Sequence, residues 1–232
     1  MASSKKDAAI VLPPLNIQEV DITIVGDTSL ITNCWSKKAI DMMRGKQTGE
    51  PTPKKAPKVP FDDFVGSMYW MDEMPEEVTW DIINEARFGM PAIGLKNSAV
   101  TACTSVANVT KVAARQAFRV PGGDDPKHLV EIHAPPPIMR EDLVRVGMGT
   151  ADLRYRGEFW PWHVNFKARL NLNVISIGEL VNLFNTAGQS VGIFEWRMEK
   201  DGDMGVFHVA TEEEINSLPD YRSEATMAVA AE

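Results

Sequence analysis

The run FWPWHVNFKARLNL (159–172) alternates apolar and polar residues almost without a break. Trp160, Trp162, Val164, Phe166, Ala168, Leu170 and Leu172 fall on one side of an extended chain. Pro161, His163, Asn165, Lys167, Arg169 and Asn171 fall on the other. A helix, turning 100° per residue, would scatter these two sets around its circumference. The run is therefore expected to be a strand buried on one face, and that face needs a layer of helices to cover it.

Three further segments carry strand patterning: IQEVDITIV (17–25), HLVEIHA (128–134) and GVFHV (205–209). Two segments supply helices. LKNSAVTACTSVANVTKVAARQAF (95–118) has small and apolar residues near helical spacing, with a break expected near Asn108. SIGELVNLFNTAG opens on Ser176 with Glu179 three residues later, the pattern of a capping box, and is expected to end at Gly188. Strand, helix, strand, strand, helix, strand is the order of an α+β, ferredoxin-like (RRM-like) βαββαβ core. Residues 17–210 are expected to form this single domain, with an arm at 1–16, a long insertion at 26–94 after the first strand and an acidic tail at 211–232. Two helices then cover one sheet face and leave the other open, bearing His133, His163, His208, Asp21, Glu131, Lys167 and Arg169.

Within the insertion, Ser36 can cap a short helix running to Arg44. The proline- and lysine-rich stretch 45–60 reads as an exposed, mobile loop. Residues 61–89 read as short amphipathic helices packed on the core. APPPIMREDLVRVGMGTADLRYRG reads as a proline-led excursion between the second and third strands. Trp160 and Trp162 are expected in the core. Tyr69 and Trp70 are expected either there or at a contact between subunits.

Net charge is −8, which argues against a surface that grips nucleic acid everywhere, but the charge is patchy. Residues 36–58 hold seven cations against two acids, residues 61–87 hold eight acids against one arginine, and the segment from Thr211 holds six acids against one arginine. Opposite patches on one chain suit self-association. The two cysteines, Cys34 and Cys103, are too few for a disulfide framework or a four-ligand zinc site and fit a reducing compartment. The first fifteen residues lack the apolar run of a signal peptide or membrane span, so no membrane partner is expected.

Phosphate-binding glycine motifs, a P-loop and Ser-His-Asp or Cys-His nucleophile patterns are all missing. No catalytic residue, metal or cofactor is therefore expected. Three histidines could ligate a metal, but they lie on separate strands without ligand spacing, and solvated histidines are the simpler reading. Cations are the stronger signal. Lys54, Lys55 and Lys58 in the loop, Arg140, Arg145, Arg154 and Arg156 in the excursion, and Lys167 and Arg169 on the open face form a candidate track for the phosphates of RNA or single-stranded DNA. The tryptophans alternate inward, so contact with the backbone is expected without base stacking. The competing reading is a solvated or subunit-contacting face on a purely structural oligomer.

Two pieces of the chain, ITIVGDTSLITN near the start and VGIFEWRMEKDGDMGVFHV near the end, resemble a group of proteins from tailed bacteriophages and prophages. The closing pattern of glycine, Trp-Arg and Gly-x-Phe is in turn similar to the glycine-rich loop of the repeat-associated mysterious protein (RAMP) superfamily. That superfamily includes CRISPR backbone subunits with an RRM-like core that polymerise along RNA. The resemblance covers about thirty residues. It implies a viral protein in the cytoplasm of a bacterial host, a glycine-rich loop built from Gly188, Gly192, Trp196, Gly202 and Gly205, and an RNA-contacting role for Arg197.

Overall fold

A computed structural model describes residues 13–49, 57–105, 110–122, 127–146 and 149–221. Strands β1 (Ile17–Gly26) and β2 (Leu30–Ile31) lead into helices α1 (Lys37–Thr48) and α2 (Pro60–Gly66). Strand β3 (Tyr69–Trp70), helix α3 (Trp80–Glu85) and strand β4 (Phe88–Pro91) complete the insertion. Helices α4 (Ala92–Ala102) and α5 (Lys111–Ala117) precede strands β5 (Phe118–Arg119), β6 (Leu129–His133), β7 (Ile138–Val146), β8 (Thr150–Phe159) and β9 (His163–Asn171). Helix α6 (Ile177–Ser190), strand β10 (Phe207–Val209) and helix α7 (Glu212–Ser217) follow.

The protein is α+β, with antiparallel pairing throughout its named strands. The main sheet has seven strands, in the order β10-β1-β9-β6-β4-β3, with β5 pairing β9 beyond the end of β6. A smaller sheet has the order β2-β8-β7. Nine consecutive pairs, from Ile17↔Asn171 to Val25↔His163, lock β1 to β9.

On β9, the expected burial holds from Val164 onward: Val164, Phe166, Ala168 and Leu170 are buried, while Asn165, Lys167 and Arg169 are exposed. Helices α4 and α6 pack together over the buried side, where Phe184 of α6 meets Phe166 at 5.2 Å and Phe118 at 5.8 Å between ring centres. Burying each such side chain stabilises the fold by about 1.5–3 kcal/mol. Helix α6 opens on the expected capping box, with the Ser176 hydroxyl accepting from Glu179 N and Glu179 accepting from Ser176 N. It runs past Gly188 to Ser190. Gly188 instead lets the helix lie against β10, because a Cβ there would overlap the carbonyl of Phe207.

Several other expectations need correction. The extended run breaks at its start: β8 ends at Phe159, and the chain turns through Trp160–Trp162 into β9. Trp160 is therefore 50% exposed, while Trp162 is buried with its indole N–H donating to Thr28 O at 2.8 Å. The break expected near Asn108 is present: the first long helix divides into α4 and α5, and Thr110 caps the new start by accepting from Ala113 N. Phe118 then continues as a strand. The insertion contributes strands as well as helices, and β4 and β3 extend the main sheet beyond β6. Trp70 lies in the core, donating to Val65 O, and Tyr69 packs on Phe194. Helix α1, capped by Ser36 as expected, continues to Thr48 and so takes in the start of the stretch read as a loop. The excursion is a regular hairpin of β7 and β8. Among the described residues, no helix is long and apolar enough to cross a membrane.

Candidate nucleic-acid interface

The closing glycine-rich segment folds as a single loop. Gly192, Phe194 and Trp196 all have positive φ, at 71°, 62° and 54°. Two glycines receive this contorted strand: a Cβ on Gly202 would overlap the Trp196 carbonyl, and one on Gly205 would overlap the carbonyl of Ile193. Backbone bonds from Ile193 N to Gly205 O (3.0 Å) and from Met204 N to Trp196 O (2.9 Å) zip the two limbs together. Ser98 of α4 fastens the loop to the helix layer by donating to Gly192 O at 2.9 Å. Left-handed conformations on Phe194 and Trp196 cost energy and persist only where surrounding contacts enforce them, a pattern that concentrates at functional sites.

Between this loop and helices α4 and α5 lies a cleft of about 550 Å³. Lys111 and Arg115 enter it from α5, one helical turn apart, and Arg197 enters it from the loop. Arg197 is held in place, donating to Phe194 O at 2.9 Å and to the Glu199 carboxylate at 3.0 and 2.7 Å. Lys111 and Arg115 form no ion pair among the described residues. Three cations thus face one carboxylate that Arg197 already engages, and the Asn97 and Thr101 side chains add polar groups to the wall. Such a cleft can take an anionic group. Lys111 and Arg115 were not among the residues expected at a site, although their i,i+4 spacing places both on one face of the helix.

The other candidate residues do not form one track. Lys54 and Lys55 lie outside the described residues. Lys58, Arg154 and Arg156 line a second cleft of about 530 Å³, together with Asp63, Asp152 and Glu195. Lys58 donates to Asp152 and to Leu153 O, each at 2.6 Å. Arg156 is only 2% exposed and paired with Asp142 at 3.3 Å and Glu195 at 3.6 Å, so its charge is already compensated within the protein. Arg140 belongs to the same network through Asp142 and Glu158. Arg145 is exposed near the outer end of the hairpin.

Lys167 and Arg169 do stand on the exposed sheet face, but β1 neutralises them. Lys167 lies 3.0 Å from Asp21 and 3.4 Å from Glu19, and Arg169 lies 3.9 Å from Glu19. The three histidines share a row across the sheet through the pairs His208↔Val25, Val25↔His163 and His163↔His133. They are not solvated alike. His208 bonds Asp27 at 2.8 Å and Glu214 of α7 at 3.1 Å. Burial lowers its proton affinity, but these two carboxylates outweigh that and leave it raised. His163 is buried beside Tyr221, so the segment after β10 crosses this end of the face expected to be open. Among the described residues, no group of three or more His, Cys, Asp or Glu side chains is arranged to hold a metal.

Fold and cleft together define an α+β protein with a cation-lined cleft set against a strained glycine-rich loop. No protein-family model matches the chain, and the curated proteins contain no match to it.

Proposed function

We propose that the chain is a non-enzymatic protein that self-associates and binds the backbone of RNA or single-stranded DNA without sequence specificity. The observation that carries this reading is the meeting of Lys111, Arg115 and Arg197 in one cleft beside the glycine-rich loop. Such a cluster offers charge and donors to phosphates, while the two aromatic rings in the cleft lining, Tyr69 and Phe194, are half-buried and packed on each other at 5.8 Å between ring centres. The antiparallel order β10-β1-β9-β6, with α4 and α6 on one side, supports a ferredoxin-like core extended by insertion strands. The resemblance of the chain's two ends to phage and RAMP proteins fits a viral product working in a bacterial host.

Gel shifts with a labelled single-stranded oligonucleotide across a salt series test the proposal. Binding should weaken steeply with salt. The slope of log K against log salt should become shallower by about 0.7 for each phosphate that the Lys111→Glu, Arg115→Glu double variant no longer engages. Undiminished binding by that variant removes the cleft from the proposal, and no shift at low salt removes the ligand. A second reading, a structural oligomer subunit with no nucleic-acid ligand, draws on the neutralised Lys167 and Arg169 and the buried Arg156. It predicts a large species in light scattering together with no shift.

A further inference from the structure

Among the described residues, the smaller sheet ends in an edge that no further strand pairs. β7 has β8 on one side and, among the described residues, no strand on the other, and its nine pairs with β8 run without a bulge. Proteins ordinarily blunt such edges with charges, prolines, bulges or a covering element, because a regular edge templates pairing with another chain. The charges of β7 are of both signs, so they repel a second copy in some registers and match it in others. The β7 sequence, IMREDLVRV, has no proline. Its Leu143 is 71% exposed, and Glu141 and Arg145, which share its face, are exposed as well. Arg145 has no ion pair among the described residues.

The strand's own chemistry selects its partner. In an antiparallel ladder, residues directly opposite each other must both turn their N–H and C=O groups toward the new partner or both turn them away, and consecutive residues alternate. A strand can therefore pair with its own copy only about a two-fold axis passing through a residue, never between two. Axes through Arg140, Glu141 or Asp142 set like charges face to face, which is destabilising. An axis through Val144 sets Leu143 against Arg145. An axis through Leu143 sets Leu143 on Leu143 and flanks it with two Glu141–Arg145 pairs of opposite charge.

We propose that β7 is a self-association edge at which two copies join antiparallel about Leu143, making one continuous six-stranded sheet. The inference rests on the self-association half of the proposed function and assigns it a surface. Sedimentation velocity over a concentration series tests it with the full chain and with Glu141→Arg, Arg145→Glu and the double exchange. Each single exchange creates two like-charge pairs at the axis and should weaken dimerisation about tenfold. The double exchange should restore it. A parent chain that stays monomeric throughout overturns both this inference and the self-association reading. An oligomer indifferent to the single exchanges, or a double exchange no better than either single one, overturns the β7 edge and leaves self-association through another surface standing.

Discussion

His163 stacks on His133 across the β6–β9 pair, with ring centres 4.8 Å apart and planes 11° from parallel, and Tyr221 packs against His163 at 5.8 Å. The contact joins the sheet to the segment that follows β10 and makes that junction sensitive to protonation. Burial, helped by the neighbouring His133, pulls the His163 pKa from 6.5 down to about 4. The neutral ring is therefore the one that fits.

Acid should loosen this corner. Between pH 6.5 and about 4 the unfolded chain holds more protons at His163 than the folded chain, so stability falls as pH falls. The loss from this residue is on the order of 1–3 kcal/mol. His208 has the opposite sign: its raised pKa gives a contribution that is full in acid and fades as pH rises through the folded value. Urea unfolding at stepped pH should show His163→Phe losing part of the parent's acid sensitivity. Equal acid sensitivity in the two proteins would refute the assignment.

Arg156 and Asp142 pair across the hairpin at 2% and 7% exposure, respectively. Removing Asp142 takes the nearer carboxylate from buried Arg156 and leaves it only Glu195 at 3.6 Å, a loss that approaches the roughly 3–5 kcal/mol of a broken buried pair. Asp142→Ala should lower the unfolding free energy by that amount, whereas exposed Arg145→Ala should change it by less than about 0.5 kcal/mol. Similar denaturation midpoints for the two variants would contradict the buried network.

Gly188→Ala should destabilise the protein although alanine favours helices, because the added methyl meets the Phe207 backbone rather than a movable side chain. Overpacking of this kind costs about 1–3 kcal/mol. Gly178→Ala, in the first turn of the same helix with open space at that position, should be neutral or mildly stabilising. The difference between the two in thermal unfolding decides the point.

The exposed sheet face should bind nucleic acid only after its acids are removed. Asp21 and Glu19 hold Lys167 and Arg169 and raise the pKa of Lys167 through hydrogen bonds and charge. Glu19→Gln, Asp21→Asn should increase low-salt affinity for single-stranded DNA, while Lys167→Ala alone should leave it within about twofold. A large drop in affinity with Lys167→Ala would restore this face as the ligand surface.

Local patterning was enough to specify β1, β6 and most of β9, the caps at Ser36 and Ser176, and the α+β class, because period-two burial and capping depend on residues close together in the chain. The β7–β8 hairpin escaped because it alternates charge with charge: Arg140, Asp142, Arg154 and Arg156 face one another across the two strands, and no hydrophobic period survives to announce them. Whether a given cation is available was likewise settled only in three dimensions. Arg156 and Lys167 carry the same formal charge as Lys111 and Arg115, yet carboxylates distant in sequence claim the first two and leave the second two facing a cleft. Coulomb interactions depend on distance in space, and only the folded chain fixes those distances.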